Sequence, residues 1–272
     1  DLTLESDVMT PEVMWAFGRV SDIQISPDQT KVLFGITYYD WNENKGNRDL
    51  YVMNIDGSDR KNITNTNSGE YNALWKSDEV IGFLAGADDE TIQLFEMNAD
   101  GSDRKQISSV EGGMTGFSYA PDASAIAYTK EIMNKTAQDI YPDLEKADAR
   151  IIDDLMFRHW DEWVVSTSHL FIAKCEGGNL SNHIDLLEGE PYEVPMKPFG
   201  GMEQITWAPD AKSLIYTCRK KSGVEYSLST NSDLYLYDLG SGETSNLTEG
   251  MMGYDMNPVF SPDGTMLAWE SM

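Results

Sequence analysis

Short apolar runs separated by polar turns recur along the whole chain and predict β-strands. In the stretch from residue 73 to residue 108, three such runs lie at 73–75, 80–85 and 93–97. They are followed by an Asp-Gly turn and a short polar run at 105–108. Asp-Gly supplies the positive φ angles of a tight hairpin, so this stretch predicts four consecutive antiparallel strands.

This succession of strands recurs around a short phrase: an apolar residue, a small residue, Pro and Asp. The copies begin at Ile25, Trp75, Tyr119, Trp207 and Phe260, and the second copy lacks the proline. Successive aspartates of the phrase are 50, 44, 88 and 53 residues apart. Four-stranded antiparallel units of about 40–50 residues are the blades of β-propellers. A β-sandwich is the competing fold, but it does not explain repetition with a four-strand period.

The predicted fold is therefore all-β, a propeller with four complete blades and two strands of a fifth, which is an incomplete ring. A four-bladed ring with two spare strands is the alternative. Residues 1–19 are expected to form a lead-in with a short helix, because Thr10 is a suitable N-cap and Pro11 a suitable first helical residue. The expected blades are 20–66, 67–111, 112–199, 200–252 and a partial blade 253–272.

The composition of the chain limits which partners it can bind. The 272 residues are 40% apolar, and 46 acidic against 20 basic residues give a net charge of −26, which disfavours nucleic acid and anionic lipid as partners. No apolar stretch is long enough to insert into a membrane. Cys175 and Cys218 lie in apolar runs and are expected to be buried thiols. Equivalent positions in the repeat account for the Asn-x-Thr triplets at 62–64 and 246–248.

The spacing of 88 residues places an insertion in the third blade, at residues 131–168. Pro142-Asp143 offers a helix start, and apolar residues then recur three and four positions apart. This pattern predicts an amphipathic helix that packs its apolar stripe on the blade. The stripe consists of Ala147, Ile151, Ile152, Leu155, Met156 and Trp160.

The Ser-Pro-Asp turns, the Asp-Gly-Ser-Asp-Arg hairpins and the opening from Thr10 to Ser21 resemble the propeller of the prolyl oligopeptidase family of serine peptidases. TolB-like periplasmic propellers share the blade signature. Residues 157–163 and 188–203 are more similar to the bacterial dipeptidyl-peptidase and acylaminoacyl-peptidase branch. In that family a downstream α/β-hydrolase domain carries the Ser-Asp-His triad, so the resemblance implies no catalytic residue in this chain. No Gly-x-Ser-x-Gly pattern occurs in it.

The insertion is where substrate recognition is expected. An exopeptidase that measures from the peptide N terminus needs carboxylates for the ammonium group and a cationic donor for a carbonyl. In better-studied members of the family a helical insertion presents paired glutamates, and here Asp161-Glu162 would be the pair, with Asp153-Asp154 as the alternative. A solvated charged helix end is the competing interpretation. The candidate substrate-binding residues are Arg158, Asp161, Glu162, Trp163 and Glu203.

Two functions fit these observations. The first is the propeller portion of an exported serine exopeptidase, periplasmic or secreted, that gates and recognises short peptides for a downstream α/β-hydrolase domain. The second is a TolB-like propeller that binds a protein partner without catalysis. His159, His169 and His183 are expected in a helix and two strands, without a nucleophile to serve. No cofactor or metal is predicted, because no His or Cys spacing suggests zinc and no Asp-rich loop matches a calcium site. A homo-oligomer is left open.

Overall fold

The computed structural model describes residues 7–152, 154–155 and 157–272. They form two compact units, Asp1–Met114 and Thr115–Met272, which we call unit 1 and unit 2. Both units are built of antiparallel sheets in which the strands of each sheet pair in their order along the chain.

Unit 1 begins with one short helix and continues with two four-stranded sheets. The helix α1 is Pro11–Ala16, as expected, and the Thr10 hydroxyl accepts a hydrogen bond from the Val13 amide. The first sheet is β1 (Arg19–Ile25), β2 (Lys31–Asp40), β3 (Lys45–Asn54) and β4 (Lys61–Asn62). The second sheet is β5 (Tyr71–Trp75), β6 (Val80–Gly86), β7 (Ile92–Asn98) and β8 (Lys105–Gln106).

Unit 2 holds two further four-stranded sheets and a final two-stranded sheet. The third sheet is β9 (Gly116–Tyr119), β10 (Ala125–Met133), β13 (Ser166–Glu176) and β14 (Asn179–Asp185). Between β10 and β13 lie the helix α2 (Ala137–Ile140) and a small hairpin of β11 (Arg158–His159) and β12 (Glu162–Trp163). A 3-10 turn at Met202–Gln204 precedes the fourth sheet, which is β15 (Ile205–Trp207), β16 (Ser213–Cys218), β17 (Asp233–Asp238) and β18 (Thr244–Asn246). The helix α3 (Gly223–Leu228) connects β16 to β17, and β19 (Met256–Phe260) pairs with β20 (Leu267–Glu270). The predicted all-β class, with four complete four-stranded units and two strands of a fifth, is confirmed.

The core of each unit is formed mainly by the second and third strands of its sheets. In β2, β6 and β16 five consecutive residues are buried, so side chains on both faces of these strands are covered. The core of unit 1 includes Leu33, Leu50, Ile81, Phe83, Ala85 and Met97. The core of unit 2 includes Ala127, Leu170, Leu187, Leu214, Tyr216 and Tyr235.

The repeated Asp of the turn phrase holds the first hairpin of a sheet by accepting hydrogen bonds. In the first sheet, Asp28 accepts from the Ser26 hydroxyl at 2.6 Å and from the Thr30 amide at 3.1 Å. The residue after this Asp has a positive φ in the copies with proline, at Gln29, Ala123, Ala211 and Gly264. The Asp side chain thus supplies an acceptor for a backbone amide that a tight turn leaves without a backbone partner.

The Asn-x-Thr triplets at the fourth strand are part of the same repeated hydrogen bonding. The Thr248 hydroxyl is buried and accepts from the Leu234 amide at 3.0 Å. The Asn246 carboxamide accepts from the Thr248 amide at 3.0 Å and donates to Asp233 at 3.2 Å. Thr64 makes the equivalent bond to the Leu50 amide at 3.0 Å. The triplets therefore fasten the fourth strand to the third, which is a structural reason for their repetition.

The antiparallel order divides the connections of each sheet between its two ends. Strands one to two, and three to four, are joined at one end, whereas strands two to three, and the fourth strand to the next sheet, are joined at the opposite end. In unit 2 the latter group comprises the connections 134–165, 186–204, 219–232 and 247–255, which we call the insertion end.

The prediction of an amphipathic helix in the insertion is wrong. The described residues between Tyr141 and Phe157 form turns and irregular chain, and the helix present, α2, is four residues long and lies before the predicted start. Ile151, Ile152 and Leu155 are 46–47% exposed, so the expected apolar stripe does not pack on a sheet. Met156, which belongs to that stripe, lies outside the described residues. A helix of this kind depends on burial of its stripe for stability, and that burial is missing.

Candidate substrate-recognition site

The insertion stands on an extension of the third sheet. β10 and β13 remain paired from Ala125–Lys174 to Met133–Ser166. Beyond them the Asn134 amide donates to the Val165 carbonyl at 2.9 Å. The first and last residues of the predicted insertion, 131–133 and 166–168, therefore continue the regular ladder. The irregular part begins where two neighbouring strands end side by side.

The candidate residues 158–163 form the hairpin β11–β12. Arg158 pairs with Trp163 and His159 pairs with Glu162, so each pair shares one face of the hairpin. Trp160 occupies the turn with φ of 51°. The hairpin is extended by a hydrogen bond from the Val164 amide to the Phe157 carbonyl at 3.0 Å. His159, expected in a helix, is thus in a strand, and Glu162 is directed away from the face that carries Trp163.

Aromatic and cationic groups gather on the Trp163 face. The Arg158 guanidinium carbon lies 5.1 Å, and that of Arg150 4.4 Å, from the centre of a Trp163 ring. Phe157 stacks on Trp163 with ring centres 6.1 Å apart. Arg158 also donates to the Asp161 carbonyl at 3.1 Å. The sequence singled out Arg158 and Trp163 but missed Arg150, because its position becomes relevant only once the chain folds back onto the hairpin.

The predicted carboxylates have different environments. Asp161 and Glu162 are exposed, and neither carboxylate has a hydrogen-bond or ion-pair partner among the described residues. Glu203 is exposed in the 3-10 turn before β15, where it accepts from the Gly201 amide at 2.7 Å. The first two carboxylates are therefore open to a cationic ligand, while Glu203 is partly used to hold its own turn.

A second aromatic contact joins the hairpin to the connection that contains Glu203. Trp160 is 74% exposed and meets Phe199, 83% exposed, with ring centres 6.0 Å apart. Two segments far apart in sequence, 157–163 and 198–203, therefore meet at the insertion end. In the sequence, Phe199 is marked only by its place in the second of these segments.

The connection between β16 and β17 adds further groups to this end. The Tyr226 hydroxyl donates to Glu193 at 2.9 Å, and the Arg219 guanidinium carbon lies 3.7 Å from the Tyr226 ring centre. Burial, together with the Glu193 charge, raises the pKa of Tyr226 to about 12. Asp154, from the alternative acidic pair, approaches Gly223 so closely that a Cβ there would lie 2.9 Å from its Oδ1. Its neighbour Asp153 lies outside the described residues.

The other two histidines belong to the third sheet. His169 is buried and its Nδ1 lies 2.8 Å from Asp185. His183 Nδ1 lies 2.9 Å from the Tyr128 hydroxyl, and burial and the nearby Lys130 lower the pKa of His183. These partners are a carboxylate and a phenol rather than the nucleophile that a catalytic histidine would serve.

Two cavities have no hairpin residue in their lining. One of about 850 Å³ in unit 1 is lined by the β2–β3 turn, with Tyr38, Tyr39 and Trp41 among its walls. Another of about 500 Å³ in unit 2 is lined by Ile172, Cys175 and Tyr237. Within the described part of the chain, no cluster of three or more His, Cys, Asp or Glu side chains is arranged to hold a metal. None of the helices described is long and apolar enough to cross a membrane.

Comparison with known proteins places this geometry in context. No family model matches the chain. Over 266 residues, 97% of its length, the chain is 51% identical to dipeptidyl-peptidase 5 of Porphyromonas gingivalis. Over 272 residues it is 42% identical to dipeptidyl-peptidase 5 of Porphyromonas endodontalis. The resemblance to peptidase propellers is confirmed. The chain spans 39% of the length of each of these relatives.

Solved structures support a propeller fold. The acylaminoacyl peptidase of Pyrococcus horikoshii matches 92% of the chain with a TM-score of 0.65 and 14% identity, over 35% of its own chain. TolB from Acinetobacter baumannii matches 92% of the chain with a TM-score of 0.50 and 13% identity, over 48% of its own chain. At these identities the likeness concerns the fold alone, and it identifies the four-stranded sheets as propeller blades.

Proposed function

We propose that this chain is the N-terminal propeller portion of an exported serine exopeptidase of the dipeptidyl-peptidase kind. It recognises the N terminus of short peptides and gates their access to an α/β-hydrolase domain that lies outside the chain. The observation that carries this proposal is the 51% identity over 97% of the chain to a dipeptidyl-peptidase of which the chain spans 39%. A catalytic domain of about 250 residues fits into the remaining length of such a relative.

The site proposed for recognition is the β11–β12 hairpin with the connection around Phe199. Its exposed carboxylates, Asp161 and Glu162, suit a peptide ammonium, and Arg158 and Trp163 suit the peptide backbone and side chains. Since the insertion is anchored on a regular ladder while its outer part is irregular, the ladder can hold the hairpin at the end of the blade. Glu203 adds a carboxylate on the neighbouring connection.

A serine-directed fluorophosphonate probe tests the catalytic assignment. The native gene product, isolated from its source, should label covalently, and the label should map to a serine outside this sequence. The 272-residue chain expressed alone should not label, because it has no Gly-x-Ser-x-Gly pattern. A native product that neither labels nor releases dipeptides would contradict the proposal.

The second candidate is a non-catalytic propeller that binds a protein partner. The exposed aromatic side chains Trp160 and Phe199 favour it, because large exposed apolar groups are common at protein interfaces. In that case the native product should contain no hydrolase domain, and the same labelling experiment separates the two candidates.

A further inference from the structure

The arginines of unit 2 have aromatic partners in place of acidic ones. Arg150, Arg158 and Arg219 are stacked on Trp163 or Tyr226, and within the described residues none of the three has a carboxylate within ion-pair distance. Lysines of the same unit behave differently. Lys220 pairs with Glu190 at 2.5 Å, and Lys197 pairs with Glu131 at 3.4 Å.

This arrangement is unexpected in a chain with 46 acidic and 20 basic residues, where a cationic side chain readily finds an acidic neighbour. All three arginines lie in connections at the insertion end. Arg150 and Arg158 both lie against the indole of Trp163, with guanidinium carbons 4.4 Å and 5.1 Å from a ring centre. Two like charges on one indole, neither in an ion pair with a described residue, repel each other, and a bound anion relieves that repulsion.

Guanidinium groups are also suited to the task by their shape. A planar guanidinium donates two parallel hydrogen bonds to a carboxylate, and stacking on an aromatic ring holds its plane without using those donors. Arg158 uses one of its N–H donors in the hydrogen bond to the Asp161 carbonyl. The donors of Arg150 make no hydrogen bond to a described residue. Donors on both groups are therefore open to a ligand.

We infer that Arg150 and Arg158, held on Trp163, form a clamp for a carboxylate group of the peptide substrate. This inference rests on the proposed function, since it names a second feature of the peptides that the hairpin would bind. The carboxylate could be the C terminus of a short peptide or the side chain of an acidic residue. A short free peptide carries an ammonium and a carboxylate, and the hairpin presents a counter-charge for each: Asp161 at its turn for the first, the clamp for the second.

Calorimetric titration of the full-length gene product, with its serine blocked by the fluorophosphonate, tests the clamp at low ionic strength with four tripeptides. Ala-Ala-Ala is compared with its C-terminal amide, and Ala-Glu-Ala amide is compared with Ala-Gln-Ala amide. The clamp predicts that, in at least one of the two pairs, the peptide with the carboxylate binds about tenfold more tightly than its neutral counterpart. A preference within the first pair identifies the C terminus as the source, and a preference within the second identifies the acidic side chain.

The variants R150Q and R158Q should each reduce that preference about threefold or more. R60Q is the matched control, because Arg60 is an exposed arginine of unit 1. Circular dichroism and thermal unfolding verify that the variants fold. R150K and R158K should restore only part of the preference, because lysine keeps the charge but loses the planar pair of donors.

The outcomes separate the clamp from the proposed function. N-acetylated Ala-Ala-Ala reports on ammonium recognition alone, because acetylation removes the ammonium and leaves the carboxylate. If acetylation weakens binding while amidation and Glu-to-Gln exchange do not, the clamp is overturned and the proposed function stands. Equal losses for charged and neutral peptides in R150Q would also overturn the clamp, because they indicate a purely structural role. Failure of every peptide to bind would overturn both.

Discussion

At the residue scale, Asp161 and Glu162 are the groups to which we assign ammonium recognition in the proposed function. Both are exposed, and neither forms an ion pair with a described residue. In the parent peptidase, D161N and E162Q together should raise KM for dipeptide substrates about three- to tenfold with little change in kcat, since exposed charged contacts contribute modestly. Steady-state kinetics measures this.

The control for this double variant is E243Q, in the β17–β18 turn at the opposite end of the fourth sheet. E243Q also removes negative charge, but it lies away from the hairpin. KM should therefore stay at the wild-type value. Equal KM values for the hairpin variant and wild type would exclude Asp161 and Glu162 from ammonium binding.

The turn aspartates make stability depend on pH. Hydrogen bonds from Ser261 and Thr265 lower the pKa of Asp263 to about 2. A carboxyl whose pKa is lower in the folded state stabilises the fold above its unfolded pKa, 3.8, and loses that contribution as pH falls toward 2. D263N should therefore lower Tm at pH 5–7, and its deficit relative to wild type should shrink between about pH 4 and pH 2. Thermal melts across this range measure the deficit.

A deficit that is constant over the whole pH range would contradict this account, because it would show that the loss is not linked to the charge of Asp263. Other turn aspartates share the direction: hydrogen bonds lower the pKa of Asp28, Asp56, Asp100 and Asp122 as well. The Ser-Pro-Asp phrase and the Asp-Gly hairpins could be predicted from sequence because each turn is specified by residues within a few positions of each other.

Individual strands are held to their neighbours by the buried hydroxyl at the end of the fourth strand. T248V keeps the size of the side chain but leaves the Leu234 amide without its acceptor in a buried place. An unsatisfied buried amide costs about 1–3 kcal/mol in free energy of unfolding. Urea unfolding of T248V should show this loss, whereas S245V, at an exposed position in β18, should be nearly neutral.

If the two valine variants lose the same stability, the hydroxyl of Thr248 is not what fastens the strand. The elements themselves were largely predictable, since strands of the repeat carry apolar runs bounded by turn residues. The insertion was not, because its apolar residues have helical spacing while its structure is set by contacts between distant residues, such as Trp160 with Phe199 and Arg150 with Trp163. Helical spacing predicts a helix only where a surface exists to bury the stripe.

Across the whole molecule, the buried Cys218 reports on opening of unit 2. Its side chain is fully buried, and burial raises the pKa of its thiol. In a C175S variant, which leaves one thiol, a thiol-reactive disulfide reagent at pH 8 should react only at the rate at which unit 2 opens. Raising the urea concentration to that of the unfolding transition should speed the reaction by several orders of magnitude. The absorbance of the released reagent group measures this rate. Rapid labelling without urea would contradict the burial of Cys218.

The resemblance to peptidase propellers was predictable because it rests on many positions along the chain. The sequence could indicate only those members of the proposed recognition site that lie close together in the chain, namely Arg158, Asp161, Glu162 and Trp163. Arg150 and Phe199 join the site through the fold, and no local pattern marks them. A sequence thus discloses its repeats more readily than the contacts made by the segment that interrupts them.

The side-by-side ends of β10 and β13 have an evolutionary consequence. Met133 and Ser166 are direct partners in the ladder, so whatever joins them begins and ends within one strand spacing. A segment with such closely placed ends can be lengthened, shortened or exchanged without moving the strands that carry it. The paired ends of β10 and β13 let a lineage acquire a new substrate preference by replacing one contiguous stretch of its gene, while the blades change only by gradual substitution. For the engineer, the same pair of strand ends is a site for grafting a foreign binding loop.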